Sequence, residues 1–326
     1  MSGTVRRPMI GLALIGLGFF LVAAGLLARY YVFPHVAVLP LDRFEKTESR
    51  AEGATYVDRN TGREARDRTL IAVQTMRGDV KASTPDIAVW ESLTWTRDAE
   101  TGEAVNYYHT KVALERHTGT AVDCCGHHIE GERYIPRSGL AYQWPFYAKK
   151  TSYPYFDEVL RKTYPMAYQR TDTLFGVDVY RFVQRIEPTR LGPQEVPGFM
   201  VGQPAAQTVA AERWYSVERT FWVEPRSGVV VKAGNHRVET LRVGGEDKLT
   251  LFDANVVLTD SDVKRFVREA SDASGKIALL HTGAFWTGLL GGALLVVLGA
   301  ALAVARRPAR VLAPAPERAA VAEPAV

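Results

Sequence analysis

Two runs of this chain show no alternation of apolar and polar positions at all. Residues 9–28 read MIGLALIGLGFFLVAAGLLA, and residues 282–305 read TGAFWTGLLGGALLVVLGAALAVA, neither with a charge. A helix needs about 20 such residues to cross a hydrocarbon layer of about 30 Å. A helix buried in a soluble core is seldom apolar all round for that length. Both runs are therefore predicted as transmembrane helices. The first is longer than a signal-peptide core and is followed by no A-x-A cleavage site. Its flank, Arg29, Tyr30, Tyr31, Phe33 and Pro34, has the aromatic and basic character of an interface anchor. A retained anchor is favoured over a cleaved signal.

Between these runs the period becomes two. The stretches 86–98 and 104–119 alternate, and Asp98-Ala-Glu-Thr-Gly102 breaks them as a turn, which predicts a hairpin. Residues 176–189 set Val177, Val179 and Arg181 against Asp178, Tyr180 and Phe182. The strongest hairpin is 219–243. Its turn, residues 224–228, places Pro225 and Gly228 where a type I turn with a following bulge uses them. Residues 248–259 read as a further strand. The stretch 59–68 is a long charged segment between strands, and the Pro- and Gly-rich stretch 191–206 reads as a surface loop. One helix is predicted in the middle: Phe156, Val159, Leu160 and Tyr164 lie at i, i+3, i+4 and i+8, Ser152 can cap it and Pro165 stops it. A last helix is predicted over 260–280, running towards the membrane. The expected fold is thus α+β and mainly antiparallel β. The intervening residues 29–281 would form a strongly curved sheet or partial barrel, flanked by the two membrane helices.

Charge fixes the expected orientation. Arg6 and Arg7 precede the first apolar run, and Arg306, Arg307 and Arg310 follow the second. Arginines near helix ends stay on the cytoplasmic side. The prediction is a two-pass protein with a cytoplasmic N-terminus over 1–8, residues 29–281 outside the cytoplasm, and a disordered Ala- and Pro-rich cytoplasmic tail over 306–326. Tyr30, Tyr31, Phe285 and Trp286 would share one interface. Arg29 opposes this orientation, but two clusters outweigh one residue. The net charge of +4 is mild and implies no nucleic-acid partner.

Three segments in this frame carry candidate chemistry. Residues 121–131, AVDCCGHHIEG, hold both cysteines of the chain, Cys124 and Cys125, with His127 and His128. Outside the cytoplasm these cysteines meet an oxidising environment. A disulfide between neighbours closes a tight ring and stabilises only a local turn. The alternatives are reduced or intermolecular cysteines, or a metal site. Structural zinc takes four ligands with cysteines two to four residues apart, so His127 and His128 are weak metal candidates. His109, His117, His236 and Glu130 are the available further ligands, and spacing pairs none of them with the loop. A cysteine nucleophile is disfavoured, because its base is usually distant in sequence.

The second segment is aromatic. Tyr142, Trp144, Phe146, Tyr147, Tyr153 and Tyr155 crowd together with Lys149 and Lys150. They are the candidate ligand-binding residues, for stacking sugars or lining a lipid cavity with cations on an acidic head group. The competing reading is an aromatic stripe packed into the core. The third feature is Gly288 and Gly292, a GxxxG face. It would serve either contact between the chain's own helices or a homo-oligomer. No P-loop, dinucleotide-binding, G-x-S-x-G or H-E-x-x-H pattern occurs, so no enzyme and no cofactor are expected.

The segments TGTAVDCCG, SGLAYQWPFYAKKTSYPYFDEVLRKTYPMAYQ (138–169), LFGVDVYRFVQRIEPT and FWVEPRSGVVV, in this order between two terminal membrane helices, resemble an actinobacterial membrane-protein family known as porin PorA. The resemblance covers nearly the whole chain and implies pore formation in a mycolic-acid envelope. It carries over no catalytic or binding residue. The two-anchor layout is also similar to that of some scavenger receptors, by analogy of layout alone. The expectation is a non-enzymatic cell-envelope protein that binds or passes a lipid or glycolipid. The alternatives are an oligomeric channel or assembly protein and, last, a metal-dependent envelope enzyme.

Overall fold

The structure is a computed structural model and describes residues 6–304. Residues 1–5 and the tail from 305 onwards, with Arg306, Arg307 and Arg310, lie outside the described residues. The chain divides into two compact units. One holds the residues up to Tyr31 and from His281, and the other spans Val32–Leu280.

The first unit is a pair of apolar helices, α1 (Arg6–Leu27) and α4 (Ala284–Val304); α2 (Phe33–Val36) and α3 (Asp260–Ala278) belong to the second. Each long helix is bounded by a π-helical turn, Ala28–Val32 after α1 and Leu279–Gly283 before α4. Glycines set the contact between α1 and α4. A Cβ on Gly292 would meet the carbonyl oxygen of Gly18 at 2.5 Å, one on Gly299 that of Gly11 at 2.5 Å, and one on Gly288 that of Leu21 at 2.6 Å. The order is antiparallel, and the backbones touch where side chains are missing. Gly288 and Gly292, offered above for a homo-oligomer, are buried against α1 of the same chain. The opposite faces expose Leu12, Phe19, Phe20, Leu290, Leu294 and Val297. Just beyond the glycine contacts, the Arg29 guanidinium lies 4.7 Å from the Phe285 ring and donates to the carbonyl of His281 at 3.3 Å, while Tyr30 meets Phe285 edge-on at 6.2 Å.

The second unit is built on one antiparallel sheet of 13 strands. The strands are β1 (Phe44–Asp58), β2 (Arg63–Gly78), β3 (Ile87–Asp98), β4 (Ala104–Glu115), β5 (Ala121–Val122), β6 (His128–Ile129), β7 (Glu132–Arg133), β8 (Tyr153–Asp157), β9 (Lys162–Leu174), β10 (Val177–Pro197), β11 (Thr208–Val223), β12 (Val230–Val243) and β13 (Glu246–Leu258). Their order is β7-β6-β4-β3-β2-β1-β13-β12-β11-β10-β9-β8, with β5 beside β4. Two hairpin meanders, β1–β4 and β8–β13, are thus joined by the pairing of β1 with β13. The ladder is not closed, since β7 and β8 are its ends. Helix α3 lays Val263, Phe266, Val267 and Ala270 on Val179, Val231 and Leu258. This is the i, i+3, i+4 stripe of an amphipathic helix, and Asp260 and Asp262 in its first turn complement the helix dipole.

The alternating segments fold as their pattern predicts. The hairpins at 86–119 and 219–243, the strand at 248–259 and the last helix are all present. Three expectations are corrected. The predicted helix over 152–164 is the β8–β9 hairpin, in which Tyr153 faces Met166 and Pro154 faces Pro165. Val159, Leu160 and Tyr164 do form an apolar cluster, but against Ile186, Tyr215 and Val217 of the sheet. The predicted loop at 191–206 is strand as far as Pro197, paired with β11. There β10 has passed the end of its pairing with β9, and prolines are tolerated on such an unpaired side. The charged stretch 59–68 is the tight β1–β2 turn and the start of β2.

Asp98 pins the β3–β4 turn. Its fully buried carboxylate accepts from Arg68 Nε at 2.8 Å, Tyr56 OH at 2.9 Å and the amides of Glu100 and Thr101. Burial alone would raise its pKa, but the bonds from Arg68 and the two amides hold it well below the carboxylate range. The Tyr56 phenol is pushed up to about 12, first by burial and then by Asp98.

Two outcomes are expected. Gly292→Leu should destabilise the helix pair by about 1–3 kcal/mol, because its Cβ cannot fit beside the Gly18 carbonyl; thermal unfolding of the full chain in detergent measures this. Asp98→Asn should cost about 2–3 kcal/mol at pH 7 by denaturant unfolding. A depressed native pKa stabilises fully above the unfolded value near 3.9, and that stabilisation is lost progressively as pH falls from there through the native pKa. The difference between wild type and Asp98→Asn should therefore shrink as pH falls below about 4.

Candidate functional site

The aromatic block is held by a short strap over residues 139–148, which is bonded on three sides. The amide of Ala121 donates to Gly139 at 2.8 Å, Leu140 donates to Pro154 at 2.7 Å, and Phe156 donates back to Leu140 at 3.1 Å. Further along, Trp144 donates to Gly228 at 3.0 Å, Tyr147 to Arg226 at 3.1 Å and Ala148 to Pro225 at 2.7 Å. The β11–β12 turn that receives them is locked by Glu224, which accepts from Ser227 through its amide at 2.7 Å and its hydroxyl at 2.6 Å. Gly228 has a φ of 71°, and the strap crosses it so closely that a Cβ would strike the Trp144 carbonyl.

This strap drives Trp144 into the core. The buried indole lies 5.2 Å from the Phe182 ring, 5.6 Å from Phe221 and 6.0 Å, stacked, from Tyr155. Tyr153 packs on its edge at 6.4 Å and accepts from the Lys149 amide at 2.7 Å. Tyr155 donates to the Ala141 carbonyl. Tyr142 turns to a different cluster, around Trp90 and Val112. Burial drives the Tyr142 and Tyr155 phenols well above their ordinary range, so both stay neutral. Phe146 is half-buried, Tyr147 meets Phe33 at 6.0 Å, and Lys149 is exposed. Lys150 lies over the rings of Tyr180 at 5.2 Å and Tyr168 at 5.9 Å.

Two spaces adjoin the block. The interior pocket, with Tyr142, Trp144 and Tyr155 in its wall, holds about 140 Å³, below the 300–1,000 Å³ typical of small-molecule sites. An open groove of about 750 Å³ lies beside it, lined by Tyr147, Lys150, Asp178, Tyr180 and Arg226 together with Ser271 and Ser274 of α3. The block therefore divides. Trp144, Tyr153 and Tyr155 pack the core, while Tyr147 and Lys150 face the groove. Arg226 and Asp178 had no signal in sequence that would join them to this groove.

The cysteine loop is a second constellation. The sulfur atoms of Cys124 and Cys125 lie within bonding distance of each other, and Cys125 and Gly126 both have positive φ, 61° and 74°. The turn returns at once to β4. The His127 ring sits between the carbonyls of Cys124 at 3.0 Å and Ile135 at 3.1 Å, so both its nitrogens are committed to backbone. The buried Arg137 braces the same loop through the His128 carbonyl at 3.1 Å and Thr110 Oγ1 at 2.6 Å, with Glu158 at 3.3 Å.

The next residue faces outward. His128 pairs with Lys111 of β4, and Lys111 pairs with Glu91 of β3. Directly paired residues share a face, and so do those two apart, which brings in His109. The His109 and His128 rings are 4.7 Å apart, and His109 Nε2 is 2.9 Å from Glu91 Oε1. Burial, and then the charge of His109, keep the His128 imidazole below its ordinary range. Burial opposes ionisation of Glu91, but hydrogen bonds from His109 and Arg77 hold it below the carboxylate range. Sequence reasoning weighed His109 without placing it and missed Glu91. The signal lay in the hairpin register, which sets 91 opposite 111.

The sequence profile of the family described as Porin PorA matches residues 10–301. A Porin PorA of Corynebacterium amycolatum is similar at 25% identity over 294 residues, covering 69% of this chain and 76% of that protein. A Porin PorA of Corynebacterium resistens is similar at 26% identity over 142 residues, covering 29% of this chain and 34% of that protein. The match spans most of both apolar helices and the whole sheet, and the chain belongs to the porin PorA family.

Proposed function

We propose that this protein is a non-enzymatic, porin-like channel protein of the cell envelope, anchored by α1 and α4. The observation that carries this reading is the family match over residues 10–301, which takes in both helices and the sheet. The physical chemistry assigns the crossing to helices rather than strands. The strands carry exposed ion pairs such as Arg185–Glu218 at 2.6 Å, Arg190–Glu212 at 2.8 Å and Arg77–Glu91 at 3.0 Å. On the lipid face of a transmembrane barrel, one Arg or Lys at mid-depth costs about 2–4 kcal/mol. From Met9 to Val304 the exposed side chains of α1 and α4 are apolar, Thr287 apart. A pair packed backbone to backbone leaves no lumen, so a pore of this kind is made between several copies. The strap bonded to both β5 and β8 supports the finer reading of the sheet as strongly curved around a filled interior.

A second reading is binding of an envelope lipid or glycolipid head group. It rests on the open groove where Tyr147, Lys150 and Arg226 meet, and not on the interior pocket, which is too small for an acyl chain. The two-pass orientation, with both termini cytoplasmic and residues 29–281 outside, rests on the flanking arginines.

Planar-bilayer recording of the purified full chain should show discrete conductance steps, and a preparation of native oligomers without conductance overturns the channel reading. Lipid retained by that silent preparation in native mass spectrometry, and lost in Lys150→Ala, would favour the second reading instead. Reporter fusions at position 100 should be active outside the cytoplasm and those at position 310 inside it; the reverse pattern overturns the orientation.

A further inference from the structure

We propose that Glu91, His109 and His128 form a binding site for one divalent transition-metal cation of the zinc type, on the face of the sheet where β3, β4 and β6 meet. One oxygen of Glu91 and one ring nitrogen of each histidine all lie within 4.8 Å of one another. Three such ligands around one zinc ion at 2.0–2.2 Å would stand about 3.4 Å apart. The His109–Glu91 contact is already at 2.9 Å, so small side-chain rotations complete the cluster without moving a strand. All three side chains are partly exposed, which gives an ion a way in.

The chemistry of the donors selects the ion. Two imidazoles and one carboxylate suit zinc, copper or nickel, whereas calcium and magnesium require mostly oxygen ligands. Three protein ligands leave a fourth position for water. The neighbours brace the donors. Arg77 donates to the second Glu91 oxygen at 3.0 Å and leaves the first to face His109. The carbonyl of His128 is held by Arg137. The amide of Gly131 reaches Nδ1 of His128 only at 3.3 Å, a long bond that a metal can displace. Supporting contacts of this type orient metal ligands.

The charge around the site sets the limit on affinity. Lys111 stands in the same row, but its ammonium is neutralised by Asp79 at 2.6 Å. Arg77 is balanced by Glu91 itself. Glu130, bonded to the His109 amide, adds a negative charge nearby. The bound ion would tie the two-residue strand β6 to the long strands β3 and β4. The cysteine turn and the His127 bracket then serve as the hinge that delivers His128 to this place.

The test is a zinc titration of the untagged full chain in detergent, with Co²⁺ as a spectroscopic probe. One saturable equivalent should bind, and the Co²⁺ absorption should report histidine ligation. His109→Ala and His128→Ala should each weaken binding by more than about tenfold. Glu91→Gln, nearly isosteric, should weaken it while leaving the circular dichroism unchanged, which separates ligand loss from unfolding. His236→Ala, which removes an exposed histidine paired with Asp253 on a distant part of the sheet, should leave affinity unchanged. No saturable binding by wild type, or wild-type affinity in the His109→Ala/His128→Ala double variant, overturns the site. So does loss of binding in His236→Ala.

Discussion

The constraint on which the sheet unit depends is the backbone bonding of the strap at residues 139–148. These ten residues have no regular structure of their own, yet their amides and carbonyls are shared among β5, β8 and the β11–β12 turn. A buried backbone group left unpaired is costly, so the strap must lie where three separate elements offer partners. Trp144 is carried with it to the centre of the aromatic cluster. The result is an interior filled by side chains rather than a conduit, which is why the space beside Trp144 is small and the larger groove opens at the strap's outer end. Glu224 holds the receiving turn from below, and Ser274 of α3 donates to it at 3.1 Å. One carboxylate therefore couples the helix, the turn and the strap.

The parts of this arrangement that could be read from the sequence are the local ones. Period-two alternation with a Gly- or Pro-bearing turn marks β3–β4 and β11–β12, because both signals lie within some 30 residues of chain. The β8–β9 hairpin has a helical signature in sequence because its turn is four residues long. Phe156, Val159, Leu160 and Tyr164 then fall at helical spacing by coincidence. The alternation of Tyr153 and Tyr155 and the proline at 154 were the countersigns. Pairing of β1 with β13 joins residues about 200 apart, and no local pattern encodes it. The aromatic block was visible as a composition, but its division between core and groove depends on the strap and was not. The cysteine turn was legible. The company of His128 was not, since it required the register of three strands at once.

The two units obey opposite rules of solvation, and their surfaces say which medium each was built for. On α1 and α4 the small residues face inward and the large apolar ones outward. That inversion is stable only where the surroundings are as apolar as the side chains. Between such helices there is no hydrophobic gain from burial, so close backbone contact through glycine becomes the means of adhesion. On the sheet most large apolar residues are buried, Phe44, Trp95 and Tyr107 being exposed exceptions, and many exposed positions form cross-strand ion pairs, each worth at most about 1 kcal/mol but jointly prohibitive in lipid. In the proposed arrangement a single chain meets water with its strands and hydrocarbon with its helices. On the channel reading proposed above, any conduction belongs to the helices. Because the glycine seam already closes α1 onto α4, the surfaces left to line or assemble a pore are the outward faces bearing Phe19, Phe20, Leu290 and Leu294. A pore lined by such residues would conduct only when wetted, which is the behaviour of a hydrophobic gate rather than of a permanently open barrel.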